Sequence, residues 1–297
     1  MAVPLHRAAA FGLHWLSDLP LPPFEPAPPG AGDVTILRTD HLADRPSPRP
    51  LNNGQIHPDG FRLHWGQEAV FDMFDGARIT YLPGPKWTGA FPSSLFGTVA
   101  ALTLAWRGAL PFHACAVELD GEAFLIAGPS GSGKSGLTAG LVGLGARFVC
   151  DDLSVLRAGA GLTISPGRST MRLDPALVDS IDAVDRAPAP GDARGKWLVR
   201  PRARTALGEM PVAGLLLLSG AGRPIQPLER PAMLTSQLFR PRWLAALPNH
   251  RERLARILEH GRGLPIARFP SIGEATVTDP SQRARDALAA LAGMRRP

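Results

Sequence analysis

This 297-residue chain has little cysteine, little lysine and no long apolar run. Its two cysteines, Cys115 and Cys150, each fall in a segment that reads as a strand. So few and so placed, they exclude a disulfide-stapled scaffold or a cysteine metal site and read as small buried hydrophobes without a catalytic role. No stretch approaches the roughly 20 uninterrupted apolar residues of a membrane-spanning helix. His6 and Arg7 precede a broken apolar stretch, a poor signal peptide, so the cytoplasm is the expected location. Lysine occurs only at positions 86, 134 and 196, within a set of 32 basic residues that is otherwise arginine. No internal repeat is present.

What is there excludes disorder as the overall state, since 44% hydrophobic residues are ample for a sizeable core. The net charge is +6 and the sequence pI about 10.3. The arginines are scattered along the chain, which argues against a nucleic-acid surface and leaves an acidic partner open.

The most informative segment is Gly128-Pro129-Ser130-Gly131-Ser132-Gly133-Lys134-Ser135. It follows the apolar run Ala123 to Ala127 and precedes a helix-like segment, which is the context of a P-loop rather than of a flexible linker. Backbone N–H groups of such a loop and the helix N-terminus behind it enclose a polyphosphate; the lysine reaches its terminal phosphates and the serine hydroxyl joins the shell of a magnesium ion. ATP with Mg²⁺ is therefore the expected ligand pair, with Gly128 to Ser135 binding nucleotide and Ser135 facing the metal. Because the chain uses lysine so sparingly, Lys196 in Arg194-Gly195-Lys196-Trp197 is either a second phosphate contact or a solvated loop residue. Lys86 reads as the latter.

Residues 1–110 and 111–297 read differently. The first part is interrupted by proline-rich stretches, Pro20 to Pro29 and Pro46 to Pro50, that predict irregular surface connections. Between them Val34 to Leu37, Phe61 to Trp65 and Ala77 to Leu82 predict strands, and Ser93 to Trp106 a buried helix ending near Gly108. A small β-rich lobe, suited to substrate binding, is expected there. The second part opens with a hairpin: His113 to Leu119, a turn at Asp120-Gly121, then Glu122 to Ala127 running into the P-loop. A helix over Gly136 to Leu144 and a strand over Ala146 to Cys150 follow, and that strand delivers Asp151-Asp152 to its end. In an α/β sheet, ligands gather at that end of the strands. Two adjacent carboxylates can divide the labour of phosphoryl transfer, one as base and one toward Mg²⁺; the alternative is a turn or helix cap. Asp151 is assigned as base and Asp152 as metal residue, the two pointing to opposite faces of the strand. Farther on, Ala183 to Lys196 reads as a mobile loop, with Arg168, Arg172, Arg194 and Arg200 as candidate phosphate or peptide contacts. Gly214 to Leu218 and Leu264 to Phe269 read as strands, and Asn249 to His260 and Pro280 to Met294 as helices, the last capped by Asp279.

His113, the Gly128 to Ser135 loop, the short helix and Gly145-Ala146-Arg147-Phe148-Val149-Cys150-Asp151-Asp152 together resemble the catalytic domain of the HPr serine kinase/phosphorylase family. The resemblance covers roughly residues 111–157. It implies an α/β P-loop kinase domain of the HPr kinase and phosphoenolpyruvate carboxykinase type, ATP-dependent transfer to a serine of a peptide or small protein, and a place for His113 beside the phosphates, assisting proton movement. The family's Glu-x-Arg-Gly-x-Gly-type signature has no counterpart in Ile164-Ser165-Pro166-Gly167-Arg168-Ser169-Thr170-Met171-Arg172-Leu173, which removes the basis for expecting the phosphorylase half-reaction. The chain looks closer to HPr-kinase-related proteins of ribosomal peptide pathways, including lasso peptide kinases that phosphorylate a precursor serine. On the residues alone, a small-metabolite kinase or a nucleotide-binding regulator without transfer stays open, as does a homo-oligomer.

Overall fold

The structure, a computed structural model, describes residues 4–46, 48–190, 192, 194–220, 225–275 and 279–294. It is a mixed α/β protein with three sheets. Nine strands make the first: β1 (His6–Ala10), β2 (Leu13–Ser17), β3 (Glu25–Pro26), β4 (Val34–Arg38), β5 (Arg49–Leu51), β6 (Gly54–His57), β7 (Gly60–Trp65), β8 (Ala69–Phe74) and β9 (Arg78–Pro83), in the order β3-β1-β2-β4-β9-β8-β7-β6-β5. The run from β5 to β9 is an antiparallel meander, while β4 pairs in parallel with both β2 and β9. Alternation sets its faces: Phe61, Leu63, Phe71, Met73, Ile79 and Tyr81 are buried. Asp72, fully buried on β8, would be prohibitive without partners; Arg62 holds it by two hydrogen bonds of 2.9 and 2.6 Å and Arg45 by a third of 3.2 Å.

The chain then turns helical at Ser93, passes through a π turn at Leu95–Val99 and enters α1 (Ala100–Trp106). The six residues from Ala100 to Ala105 are all buried, so α1 lies inside the molecule. Beyond it β10 (Leu110–Phe112), β11 (Ala114–Leu119) and β12 (Glu122–Ala127) lead to α2 (Lys134–Gly143), then β13 (Arg147–Cys150), β14 (Ser154–Ala158) and β15 (Leu162–Ile164). A separate three-stranded sheet follows: β16 (Met171–Leu173), β17 (Ala183–Pro188) and β18 (Trp197–Pro201), with β18 in the middle. The long strand β19 (Met210–Leu218) returns to the second sheet, helices α3 (Arg230–Ser236), α4 (Pro241–Ala246) and α5 (His250–His260) come next, and β20 (Ile266–Phe269) and α6 (Pro280–Ala292) close the chain. The second sheet has eight strands, ordered β10-β14-β15-β19-β12-β11-β13 with β20 also on β19. β12, β19 and β20 run parallel, and the nearly unbroken apolar runs of β12 and β19 suit strands covered on both faces. One face shares an apolar core with α1 and the first sheet; the other packs on α2 and α6. Among the described residues no helix is long and apolar enough to cross a membrane.

The elements expected from periodicity are present with ends shifted by a few residues, and Asp279 caps α6 by accepting from the N–H groups of Ser281 and Gln282. Three expectations need correction. The proline-rich stretch near Pro20 is not surface alone: Leu21 and Phe24 are buried, and the Phe24 ring meets Phe11, Trp15 and Phe96. Its prolines break the hydrogen-bond ladder but leave these side chains free to enter the core. Ala183 to Pro188 is a strand, β17, rather than the start of a loop, because β18 offers it a ladder interrupted only by a register shift between Ala183 and Asp185; Gly191 and Ala193 of that expected loop lie outside the described residues. The first sheet is also larger than its three legible strands.

The P-loop helix is positioned by a close approach. Gly140 of α2 faces α6, and a Cβ there would sit 2.8 Å from the Ala284 Cβ. Gly140→Val should therefore force the helices apart and cost on the order of 1–3 kcal/mol, read as a lowered thermal midpoint. An unchanged midpoint would mean that α2 and α6 are not locked together.

Candidate functional site

Between β12 and α2 the chain makes a tight loop that closes by the Ser132 N–H donating to Pro129 O at 3.2 Å. Gly128 begins it at φ +147°, and a Cβ there would meet Leu218 O at 2.8 Å, so only glycine passes beside β19. Gly133, in the left-handed region, precedes the first residue of α2. Lys134, at that helix start and only 7% exposed, turns back on its own loop: its Nζ donates to Gly128 O at 2.8 Å and to Pro129 O at 2.9 Å. Burial pushes its pKa down. Ser132 Oγ is buried with no hydrogen-bond partner among the described residues. From outside, Ile272 N–H donates to Ser132 O at 3.0 Å and fastens the segment after β20 to the loop.

Opposite the loop, β13 ends at Cys150 and the chain bends. Asp151 is 3% exposed. Its Oδ1 accepts from Ser135 Oγ at 2.8 Å and from Cys115 Sγ at 2.9 Å, and its Oδ2 accepts from the Arg172 N–H at 2.7 Å. Asp152 is half-buried, and its φ of +69° swings it away from Asp151. The two carboxylates therefore part through a bend, not through the strand alternation expected for them. Asp152 Oδ1 lies 3.1 Å from His113 Nδ1, which is also 3.2 Å from the Asp152 carbonyl oxygen. Burial works to raise the Asp152 carboxyl, but the His113 hydrogen bond and the charges of His113, Arg168 and Lys134 outweigh it and hold the group below the usual carboxylate range.

These groups line one cavity of about 480 Å³. Of the residues singled out in the sequence, His113, Ser130, Gly131, Gly133, Lys134, Ser135, Asp151, Asp152, Arg172, Arg194 and Lys196 reach its wall; Gly128, Pro129 and Ser132 form the loop behind. Lys196 Nζ faces Asp174 Oδ1 at 3.8 Å, and Arg172 is paired with Asp192, whose carboxylate also accepts from the Arg194 N–H at 2.7 Å. Arg168 is buried, and its charge acts on Asp152 and Asp151. Arg200 is engaged elsewhere, with Pro22 O, Ser169 and Glu25. Sequence reasoning missed Asp174, Asp192 and Ile272, which loops bring in from afar. It also set Cys115 aside, although the thiol donates to Asp151 and lines the cavity. The available signal was its place two residues after His113 on the hairpin strand paired with the P-loop strand. Among the described residues no group of three or more His, Cys, Asp or Glu forms a metal cage. An ion here would take few protein ligands and rely on phosphate oxygens.

No family model and no curated protein matches the chain. A solved structure, the Hpr(Ser) kinase/phosphatase from Coxiella burnetii, is similar to it at 21% identity over 40% of this chain and 71% of that one, with a TM-score of 0.28. That likeness carries no argument by itself; the geometry does.

Both thiols are held protonated. Burial, then the Asp151 carboxylate, pushes Cys115 well above the ordinary thiol range, and burial pushes Cys150 up to about 12. Native protein at pH 8 should therefore react with a thiol reagent at least about tenfold more slowly than unfolded protein; equal rates would contradict the buried Cys115–Asp151 contact.

Proposed function

We propose that the chain is an ATP-dependent phosphotransferase of the HPr-kinase type that acts on a serine hydroxyl of a peptide or small protein. The observation that carries the reading is the meeting of two pairs at one cavity, Ser135 with Asp151 and His113 with Asp152, around a P-loop whose lysine turns back on the loop carbonyls and whose Ser132 hydroxyl is buried without a partner among the described residues. The N-terminal lobe, residues 1–110, is assigned to substrate binding, and the acceptor is a precursor of a ribosomal natural product of the lasso kind. Transfer would take place in the cytoplasm.

The residues fit Mg-ATP. The loop N–H groups and the start of α2 would hold its phosphates, with Lys134 exchanging Gly128 O and Pro129 O for phosphate oxygens and Lys196 approaching from the far wall. Bound nucleotide supplies the phosphoryl group and magnesium neutralises its charge. Asp151, hydrogen-bonded to the P-loop serine, takes the metal side, directly or through water. Asp152, ionised at neutral pH and bonded to His113, takes the side of the acceptor hydroxyl and receives its proton, with His113 stabilising the pair. This order reverses the one expected from the sequence, because the bend gives Asp151 to Ser135.

Incubation with Mg-ATP and a panel of serine-bearing precursor peptides, read by intact mass, should give a phosphate-sized gain on a peptide. Tight nucleotide binding with no gain on any of them would remove the peptide as acceptor. Lys134→Ala should abolish nucleotide binding; retained binding would sink the P-loop reading. Asp152→Asn should keep Mg-nucleotide binding and lose transfer by roughly 10²-fold or more, whereas Asp151→Asn should weaken magnesium-dependent binding about tenfold or more. The opposite pattern would restore Asp151 as the base.

A further inference from the structure

Away from the P-loop the structure holds a second recess, of about 220 Å³, where the end of α1, the end of β14 and α5 come together. Arg107, Arg157, Arg253 and Arg256 line it, over a floor that includes Ala109 and Ile257, and no carboxylate of the described residues is among its walls. β14 starts at Ser154, just past the aspartate pair, and reaches this recess at Ala158, about 13 Å along the strand at roughly 3.3 Å per residue. The two sites thus stand at opposite ends of one strand.

The charges here are poorly compensated. Arg253 is 8% exposed; its Nη1 donates to Pro248 O, but Nε and Nη2 are buried without a partner among the described residues. The Arg157 side chain makes no hydrogen bond among them, and Arg256 and Arg107 donate only to carbonyls, those of Ala158 at 3.2 Å and Gly76 at 3.1 Å being the nearest. The acids around are at the margin: Asp33 lies 3.8 Å from Arg107, while Glu209 and Glu252 act on Arg157 and Arg253 from outside the recess. Burial, and for Arg157 the like charge of Arg107, pushes the pKa values of Arg157 and Arg253 down. Burying a guanidinium group with idle N–H donors, as at Arg253, is costly, and an anion would complete it. The planar fork of arginine matches phosphate oxygens two at a time, and the recess is less than half the size of the P-loop cavity, too confined for a nucleotide.

We propose that this recess is a second anion site, which binds a phosphate group, either free inorganic phosphate or the phosphate of a small organic ester, independently of the P-loop. Arg253 is the central donor, and Arg157 and Arg256 close over the bound group.

The test uses the full chain carrying Lys134→Ala, so that the P-loop does not answer for the recess, titrated by calorimetry at low salt with inorganic phosphate and, separately, glycerol 3-phosphate. One saturable site is expected, weakening as salt rises. Tighter binding of the ester identifies an organic phosphate as the ligand; tighter binding of the ion identifies free phosphate. Adding Arg256→Glu should weaken binding at least about tenfold, through a reversed charge beside the anion. Arg256 is exposed, so the thermal midpoint should hold; if it falls, Arg157→Gln, which breaks no hydrogen bond, replaces it and should weaken binding likewise. No binding of either probe, or binding that these substitutions leave unchanged, overturns the proposal. Neither result bears on phosphotransfer, which the peptide assay tests separately.

Discussion

The Asp151 carboxylate holds the site together. It joins three parts of the chain that also share one apolar core: Cys115 on the hairpin strand β11, Ser135 on the first turn of α2, and the backbone N–H of Arg172 on β16. A carboxylate buried this deeply is tolerable only when its lone pairs are occupied, and here both oxygens are. The same three bonds set the distance from P-loop to aspartate pair and bring the small sheet, with Arg172, Asp174 and Lys196 near it, to the cavity wall.

Around that centre the two faces of the second sheet divide the work. One is sealed against α1 and the N-terminal sheet, giving β12 and β19 a rigid setting from which the P-loop emerges. The other carries α2 and α6, whose close contact at Gly140 fixes the helix that presents Lys134 and Ser135. With Lys134 bonded to loop carbonyls and Ser135 to a carboxylate, the loop keeps its shape through interactions that phosphate and metal can replace one for one. That is preorganisation rather than a loop awaiting folding.

The most local parts of this arrangement were legible in the sequence. The P-loop pattern, the hairpin turn at Asp120-Gly121, the helix stop near Gly145 and the Asp279 cap each depend on a few adjacent residues, and each lies where those residues predict. What escaped reading was set by distant partners. β1 is alanine-rich and carries little β signal, yet it pairs with β2 in full register because Trp15 and Phe11 have a core to enter. Cys115 looked inert because its partner, Asp151, stands 36 residues away. The roles of Asp151 and Asp152 could not be ordered from adjacency, since a positive φ at Asp152, not strand alternation, decides which one meets Ser135.

The most direct test of this account is a crystal structure of the chain with Mg²⁺ and a non-hydrolysable ATP analogue. The account predicts Lys134 Nζ on phosphate oxygens in place of Gly128 O and Pro129 O, the ion beside Ser135 Oγ and Asp151, and Asp152 still bonded to His113 with its other side open to an acceptor. An ion beside Asp152 with Asp151 turned to the acceptor side, or an analogue bound away from the loop, would contradict it.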